Sequence, residues 1–173
     1  MIDRRSAIIG LATLGAGCLG DDTDDDPNGS NRQGPQINGR EFDSAFPLVL
    51  SKDGETVADV HYHPDGNSHW HKQPLELAVD EPRELEATVN DADVEPIELG
   101  DVYTLTVEPP TAADAWRLNV KIDGSDVTIT ATRPGEAFLR FGVHGGGDDP
   151  WVTPKLRVEA TGSETDASMA AAG

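Results

Sequence analysis

Apolar and polar residues alternate along the middle of the chain with the period of two that is typical of β-strands. The alternation is clear over residues 58–63, where three apolar side chains are interleaved with an aspartate and two histidines. It recurs over the segments 84–89, 103–107, 116–122, 127–132, 137–143 and 156–160. Successive side chains of a strand point to opposite faces, so each segment has one face suited to burial. No segment keeps a helical period.

Turn dipeptides separate these segments and favour hairpins, as at Asp53-Gly54, Asp65-Gly66 and Asp123-Gly124. Residues 120–131, followed by the Pro134-Gly135 turn, resemble a bacterial immunoglobulin-like repeat. That resemblance implies an Ig-like sandwich and carries no information about chemistry. The fold expected is therefore all-β, an Ig-like β-sandwich of seven to nine short antiparallel strands.

The first twenty residues have the layout of an export signal. The pair Arg4-Arg5 precedes a short apolar run over residues 7–14, and small residues then lead to Cys18. The run is too short to span a bilayer and is typical of a cleaved signal peptide. The arginine pair resembles a twin-arginine signal, and residues 14–18 resemble a lipobox, which implies that Cys18 carries a lipid. The alternative is a plain secretory signal with an unmodified cysteine.

Composition divides the chain into four predicted parts. Residues 1–17 are predicted to be the signal peptide, and residues 18–41, rich in Asp, Asn, Gly and Pro, a disordered acidic tether. Residues 42–160 form the predicted sandwich, and residues 161–173 a flexible tail. The protein is thus expected outside the cytoplasm, anchored to the outer face of the cell membrane.

Charge narrows the set of partners. The 173 residues include 32 acidic and 13 basic side chains, for a net charge of −19. This balance resembles that of proteins from haloarchaea, because a dense carboxylate surface stays hydrated in high salt. An ordinary acidic secreted protein is the alternative. Nucleic acid is not expected as a partner, since phosphate binding needs clustered Lys and Arg.

Four of the five histidines lie within eleven residues, around a turn rich in Pro, Asp, Gly and Asn. If the hairpin is centred on Gly66, His63 lies opposite His69, and His61 lies opposite His71. Residues two apart in a strand share a face, as do opposed residues, so all four rings project from one side. Opposed Cβ atoms lie about 5 Å apart, which suits ligands of one metal ion.

The other side of this hairpin carries Tyr62 and Trp70, which are expected in the core. Asp59 shares the histidine side and is expected to be a solvated carboxylate. The fifth histidine, His144, precedes a glycine-rich loop and is a further candidate ligand, with Asp148 or Asp149 orienting a ligand ring. Imidazole ligands favour zinc or copper, which we expect as the bound ion.

The His69-Trp70-His71 stretch and the late His144-Gly145-Gly146 segment resemble a group of small secreted bacterial domains. The resemblance implies metal binding. In that group a further histidine follows the glycines, whereas this chain has Gly147.

Two other functions stay open: a structural or adhesive surface module without metal, and an enzyme similar to copper-zinc superoxide dismutase. No catalytic motif such as Gly-x-Ser-x-Gly or a phosphate-binding loop is present in the sequence, so we do not expect an enzyme. The single cysteine also excludes an internal disulfide and a cysteine-ligated copper centre in the domain.

Overall fold

The computed structural model describes residues 33–147 and 149–162. The predicted signal peptide, the lipid site at Cys18 and most of the predicted tail lie outside the described residues. Within these residues the chain is built almost entirely of strands, together with one four-residue helix, α1 (Ala112–Ala115). No helix in this part of the chain is long and apolar enough to cross a membrane.

Seven of the strands in the described residues lie on the alternating segments of the sequence, and one more is the second strand of the histidine hairpin. In chain order they are β1 (Gln36–Ile37), β2 (Arg40–Glu41), β3 (Leu48–Lys52), β4 (Glu55–His61), β5 (His69–His71), β6 (Leu75–Ala78), β7 (Pro82–Val89), β8 (Tyr103–Glu108), β9 (Leu118–Asp123), β10 (Asp126–Ala131), β11 (Gly135–Gly145), β12 (Trp151–Val152) and β13 (Leu156–Thr161).

Two sheets contain most of these strands. The first sheet is antiparallel and has the order β5-β4-β3-β7-β10-β9, so β5 is an edge strand. The second is organised by β11, which pairs with β13 along its first half and with β8 along its second half. The all-β prediction is confirmed. One pairing differs from the expected antiparallel pattern, because β6 runs parallel to β13, from which it is distant in sequence.

The buried faces of both sheets form one apolar core. Leu50 and Val60 of the first sheet and Phe141 and Val158 of the second are fully buried. Trp70 on β5 is also buried, and its ring centroid lies 5.4 Å from that of Phe141. The face of the first sheet that was predicted to be apolar is therefore the face that packs inward, as expected from the alternation.

Regular structure is present before residue 42, within the segment that composition assigns to the tether. β1 and β2 form a short antiparallel hairpin, and Ile37 within it is buried in the core. The N–H of Phe42 then donates to the carbonyl of Pro35 at 2.9 Å. Burial of Ile37 favours packing of this otherwise polar stretch onto the domain.

Candidate metal centre

The histidine hairpin consists of β4 and β5, with the turn of residues 62–68 between them. His61 lies opposite His69, and His71 lies opposite Asp59. The predicted register, which paired His63 with His69 and His61 with His71, is wrong by two residues. A shift of two residues leaves every side chain on its predicted face, because faces alternate with a period of two. The histidines of the two strands therefore do share one side.

The turn explains the shift. The N–H of Gly66 donates to the carbonyl of His63 at 3.1 Å, so Pro64 and Asp65 take the two central positions of a tight turn. The Asp65 carboxylate accepts the backbone N–H of Asn67 at 3.1 Å and its side-chain amide at 3.0 Å. These bonds favour the charged carboxylate and hold the pKa of Asp65 below its ordinary value. The centre of the loop thus lies at Asp65, one residue before the glycine.

Three imidazoles converge on this face. His61, His69 and His71 each offer a ring nitrogen within 4.8 Å of the other two. The Nε2 atoms of His69 and His71 are 3.2 Å apart. In a tetrahedral site with metal–nitrogen bonds of 2.0–2.1 Å, two ligand nitrogens lie about 3.3–3.4 Å apart. Two of the three candidate ligand nitrogens therefore lie close to the separation that a tetrahedral ion requires.

The outer nitrogens of these two rings are held by acceptors. Nδ1 of His71 donates to Oδ2 of Asp59 at 3.0 Å, and Nδ1 of His69 donates to the carbonyl of Asn67 at 3.3 Å. A carboxylate and a carbonyl can only accept, so each Nδ1 carries the hydrogen. This is the usual arrangement around histidine ligands, in which the second ring nitrogen is fixed by an oxygen.

In the neutral form of both rings, the inner nitrogens direct lone pairs at each other. The one hydrogen of each neutral ring is then at Nδ1, so both Nε2 atoms are acceptors. Two acceptors 3.2 Å apart repel unless a cation lies between them. A proton or a metal ion satisfies both lone pairs. The described part of the chain can therefore hold a metal ion at His61, His69 and His71.

His63 lies beside this group without being one of its three members. Its ring centroid is 4.3 Å from that of His61 and 5.5 Å from that of His69. The Ser68 hydroxyl accepts the N–H of His63 at 2.9 Å and donates to its carbonyl at 3.2 Å, which places His63 in the turn beyond the end of β4.

His144, the fifth predicted ligand, is not part of the group. It lies on β11 in the second sheet, opposite Thr104 of β8. Its Nε2 is 3.1 Å from the hydroxyl of Thr106. Asp149 is exposed, and Asp148 lies outside the described residues. β11 belongs to the second sheet, and the group of ring nitrogens that could share one ion consists of His61, His69 and His71 within the described residues.

Asp59 was misjudged from the sequence. It is buried, with only 12 % of its side chain exposed, and it contacts His71 directly. The alternation in the sequence does indicate this position, because it puts Asp59 on the same face of β4 as the histidines. With the register shifted by two residues, Asp59 takes the place opposite His71 that had been given to His61.

Phe46 is a further residue of the site that sequence reasoning missed. It precedes β3, and its ring stacks on that of His61 with centroids 5.3 Å apart and planes at 25°. The same ring is 5.8 Å from that of His71. Phe46 lies fifteen residues before His61 and just ahead of the apolar start of β3, so no local pattern points to this contact.

Comparisons with known proteins add little. No protein-family model matches the chain, and no curated protein matches it. Among solved structures, domains 4 and 5 of the S-layer protein SbsC are similar in part, with a TM-score of 0.37 and 9% sequence identity. That similarity covers 73% of this chain and 98% of the S-layer chain.

Proposed function

We propose that this protein is an exported, lipid-anchored cell-surface protein that binds one divalent transition metal ion, zinc or copper, through His61, His69 and His71. The observation that carries the proposal is the pair of Nε2 atoms of His69 and His71, which face each other at 3.2 Å while both Nδ1 atoms are bound by oxygen acceptors. Imidazole nitrogen suits zinc and copper, and three ligands leave one position for water or another small donor.

The surface role is supported by the sequence. A signal peptide with a cysteine in a lipobox-like stretch directs a domain to the outer face of the membrane, and Cys18 precedes an acidic segment that would separate the domain from the bilayer. An ion captured there would be bound from the surroundings of the cell. The site would then buffer, capture or sense the metal.

Metal analysis of the purified domain tests the binding. We expect one equivalent of zinc or copper in the wild type and much less in the variant H61A/H69A/H71A. The matched control is H144A, which removes a histidine of the second sheet and should leave metal content unchanged. Equal metal content in wild type and the triple variant would refute the proposal and favour a structural module without metal.

Thermal unfolding gives an independent readout. A ligand that binds only the folded state at 100 times its Kd stabilises that state by about 2.7 kcal/mol. Added zinc should therefore raise the Tm of the wild type and of H144A, and leave that of the triple variant unchanged.

Replacing Cys18 with alanine tests the anchor separately. We expect the wild type in the membrane fraction and C18A in the soluble fraction outside the cytoplasm, since the replacement removes the lipidated thiol. Retention of C18A in the membrane would refute the lipid anchor and leave the metal site untouched.

A further inference from the structure

Phe46 is held in position by its backbone, although the residue is 38 % exposed. The backbone N–H of Phe46 donates to Oδ2 of Asp43 at 3.2 Å, and its carbonyl accepts the side-chain amide of Asn90 at 3.2 Å. Asp43 and Asn90 are both buried polar residues. Two hydrogen bonds to buried polar side chains therefore restrict the backbone of Phe46 and the position of its ring.

The neighbouring residue strengthens this attachment and ties it to the hairpin. The N–H of Ala45 donates to Oδ1 of Asp43 at 2.9 Å, and its carbonyl accepts the N–H of Tyr62 at 2.8 Å. Tyr62 directly follows His61 in the chain. The segment that carries Phe46 is therefore bonded to the backbone at the end of β4.

Each of the three candidate ligand rings thus has its own orienting contact. Asp59 accepts from His71, the Asn67 carbonyl accepts from His69, and the ring of Phe46 stacks on His61. The contact on His61 is apolar, and it extends to the ring of His71 at 5.8 Å between centroids. One side of the cluster is therefore covered by a phenyl ring, which offers no ligand atom and excludes water.

On the basis of the proposed metal site, we infer that Phe46 sets the coordination number and hence the metal preference of that site. By fixing the plane of His61 and covering one side of the cluster, Phe46 restricts the ion to the three imidazoles and one exchangeable ligand. Such a four-coordinate site favours zinc over nickel, which takes tetragonal or octahedral surroundings with additional water ligands. Phe46 is a positioning residue, since it would not itself bind the ion.

Cobalt(II) is a suitable probe, because its visible absorption bands are far more intense in a four-coordinate than in a six-coordinate site. The full chain is loaded with Co(II), and its spectrum is compared among the wild type, F46A and F46Y. We expect intense bands for the wild type and F46Y, and weak bands for F46A, because alanine admits water beside His61. Competition titrations should show that the preference for zinc over nickel falls at least tenfold in F46A and is restored in F46Y.

A control separates this effect from general changes at the surface. V152A truncates another exposed apolar side chain, outside the histidine cluster, and should match the wild type in spectrum and selectivity. The metal-free Tm of F46A shows whether the domain remains folded, and F46Y tests the inference even if F46A unfolds, since loss of the intense bands in F46Y would contradict it.

The outcomes distinguish the two proposals. Absence of cobalt and zinc binding by the wild type overturns the proposed function and this inference with it. Binding by the wild type with the same spectrum and selectivity in folded F46A overturns the inference alone.

Discussion

The indole nitrogen of Trp70 donates a hydrogen bond of 2.8 Å to the carbonyl of Pro154, across the core from the first sheet to the segment that leads into β13. Trp70 lies between His69 and His71 on β5 and points to the opposite face. The two candidate ligands on this three-residue strand therefore flank one buried tryptophan, whose hydrogen bond holds the strand against the core.

Replacing Trp70 with phenylalanine should lower the free energy of unfolding by about 1–3 kcal/mol, because the Pro154 carbonyl loses one of its two donors and the smaller ring leaves space. Denaturant unfolding of the metal-free protein measures the change. Trp116 supplies the control, since it is 71 % exposed and W116F makes the same chemical change outside the core. That variant should stay within about 0.5 kcal/mol of the wild type. Equal losses in the two variants would contradict the anchoring role.

Replacing Asp59 with asparagine should weaken zinc binding by about 10- to 100-fold, the usual effect of losing the carboxylate behind a histidine ligand. Asparagine keeps the size of the side chain but removes the charge that fixes the hydrogen of His71 at Nδ1. Isothermal titration measures the affinity, with D53N as a control on the exposed turn after β3. An unchanged zinc affinity in D59N would show that the Asp59 contact does not support the site.

Thr153 offers a test of the core that does not involve the metal. Its buried hydroxyl accepts the N–H of Phe141 at 3.0 Å and donates to the carbonyl of Pro154 at 3.0 Å. T153V keeps the shape and leaves a buried N–H without an acceptor, so it should cost about 1–3 kcal/mol of unfolding free energy. T104V, on the exposed face of β8, should be nearly neutral. A neutral T153V would contradict the hydrogen-bonding role of this threonine.

The pH dependence of stability can be tested at Asp91. The hydrogen bond from Arg40, at 2.6 Å, together with the backbone N–H groups of Glu95 and Asp93, lowers the pKa of the Asp91 carboxyl. A lowered folded-state pKa stabilises the fold at pH values above the unfolded-state pKa of about 3.9. That stabilisation is lost as the pH falls through the folded-state value.

The Tm of D91N should accordingly lie below that of the wild type at pH 7, and the gap should narrow as the pH is lowered from 5 towards 3. D101N removes an equal charge from a nearby exposed turn and serves as the control. A gap in D91N that stays constant over this range would contradict the assignment to the Asp91 carboxylate.

The sequence predicts which face of a strand is buried, but it does not predict which residue of the neighbouring strand lies opposite a given residue. Alternation decides which residues face the core, so Val60 and Trp70 were placed correctly, and the histidines of both strands were placed together on the other side. Register depends on turn geometry, and the glycine of an Asp-Gly pair need not be the centre of its loop. That single difference moved Asp59 into the place opposite His71.

Contacts between distant segments gave no local signal. Phe46 contacts His61 because hydrogen bonds to Asp43 and from Asn90 hold the backbone of Phe46 in place. Neither Asp43 nor Asn90 belongs to a recognisable motif. His144 shows the converse case. Its place before a glycine-rich loop makes it a candidate ligand in the sequence, but its strand belongs to the opposite sheet. Ile37 likewise joined the core from a stretch that composition alone marks as polar.

The position of β5 at the end of its sheet has a consequence for aggregation. An edge strand exposes unpaired backbone groups to which another chain can add, and proteins protect such edges. Here two of the three candidate ligands lie on that edge, and the third lies on the strand next to it. An ion bound here would link the edge strand β5 to its neighbour β4. Without metal, β5 would separate from the sheet more easily, and the exposed edge would pair more readily with a strand of another molecule.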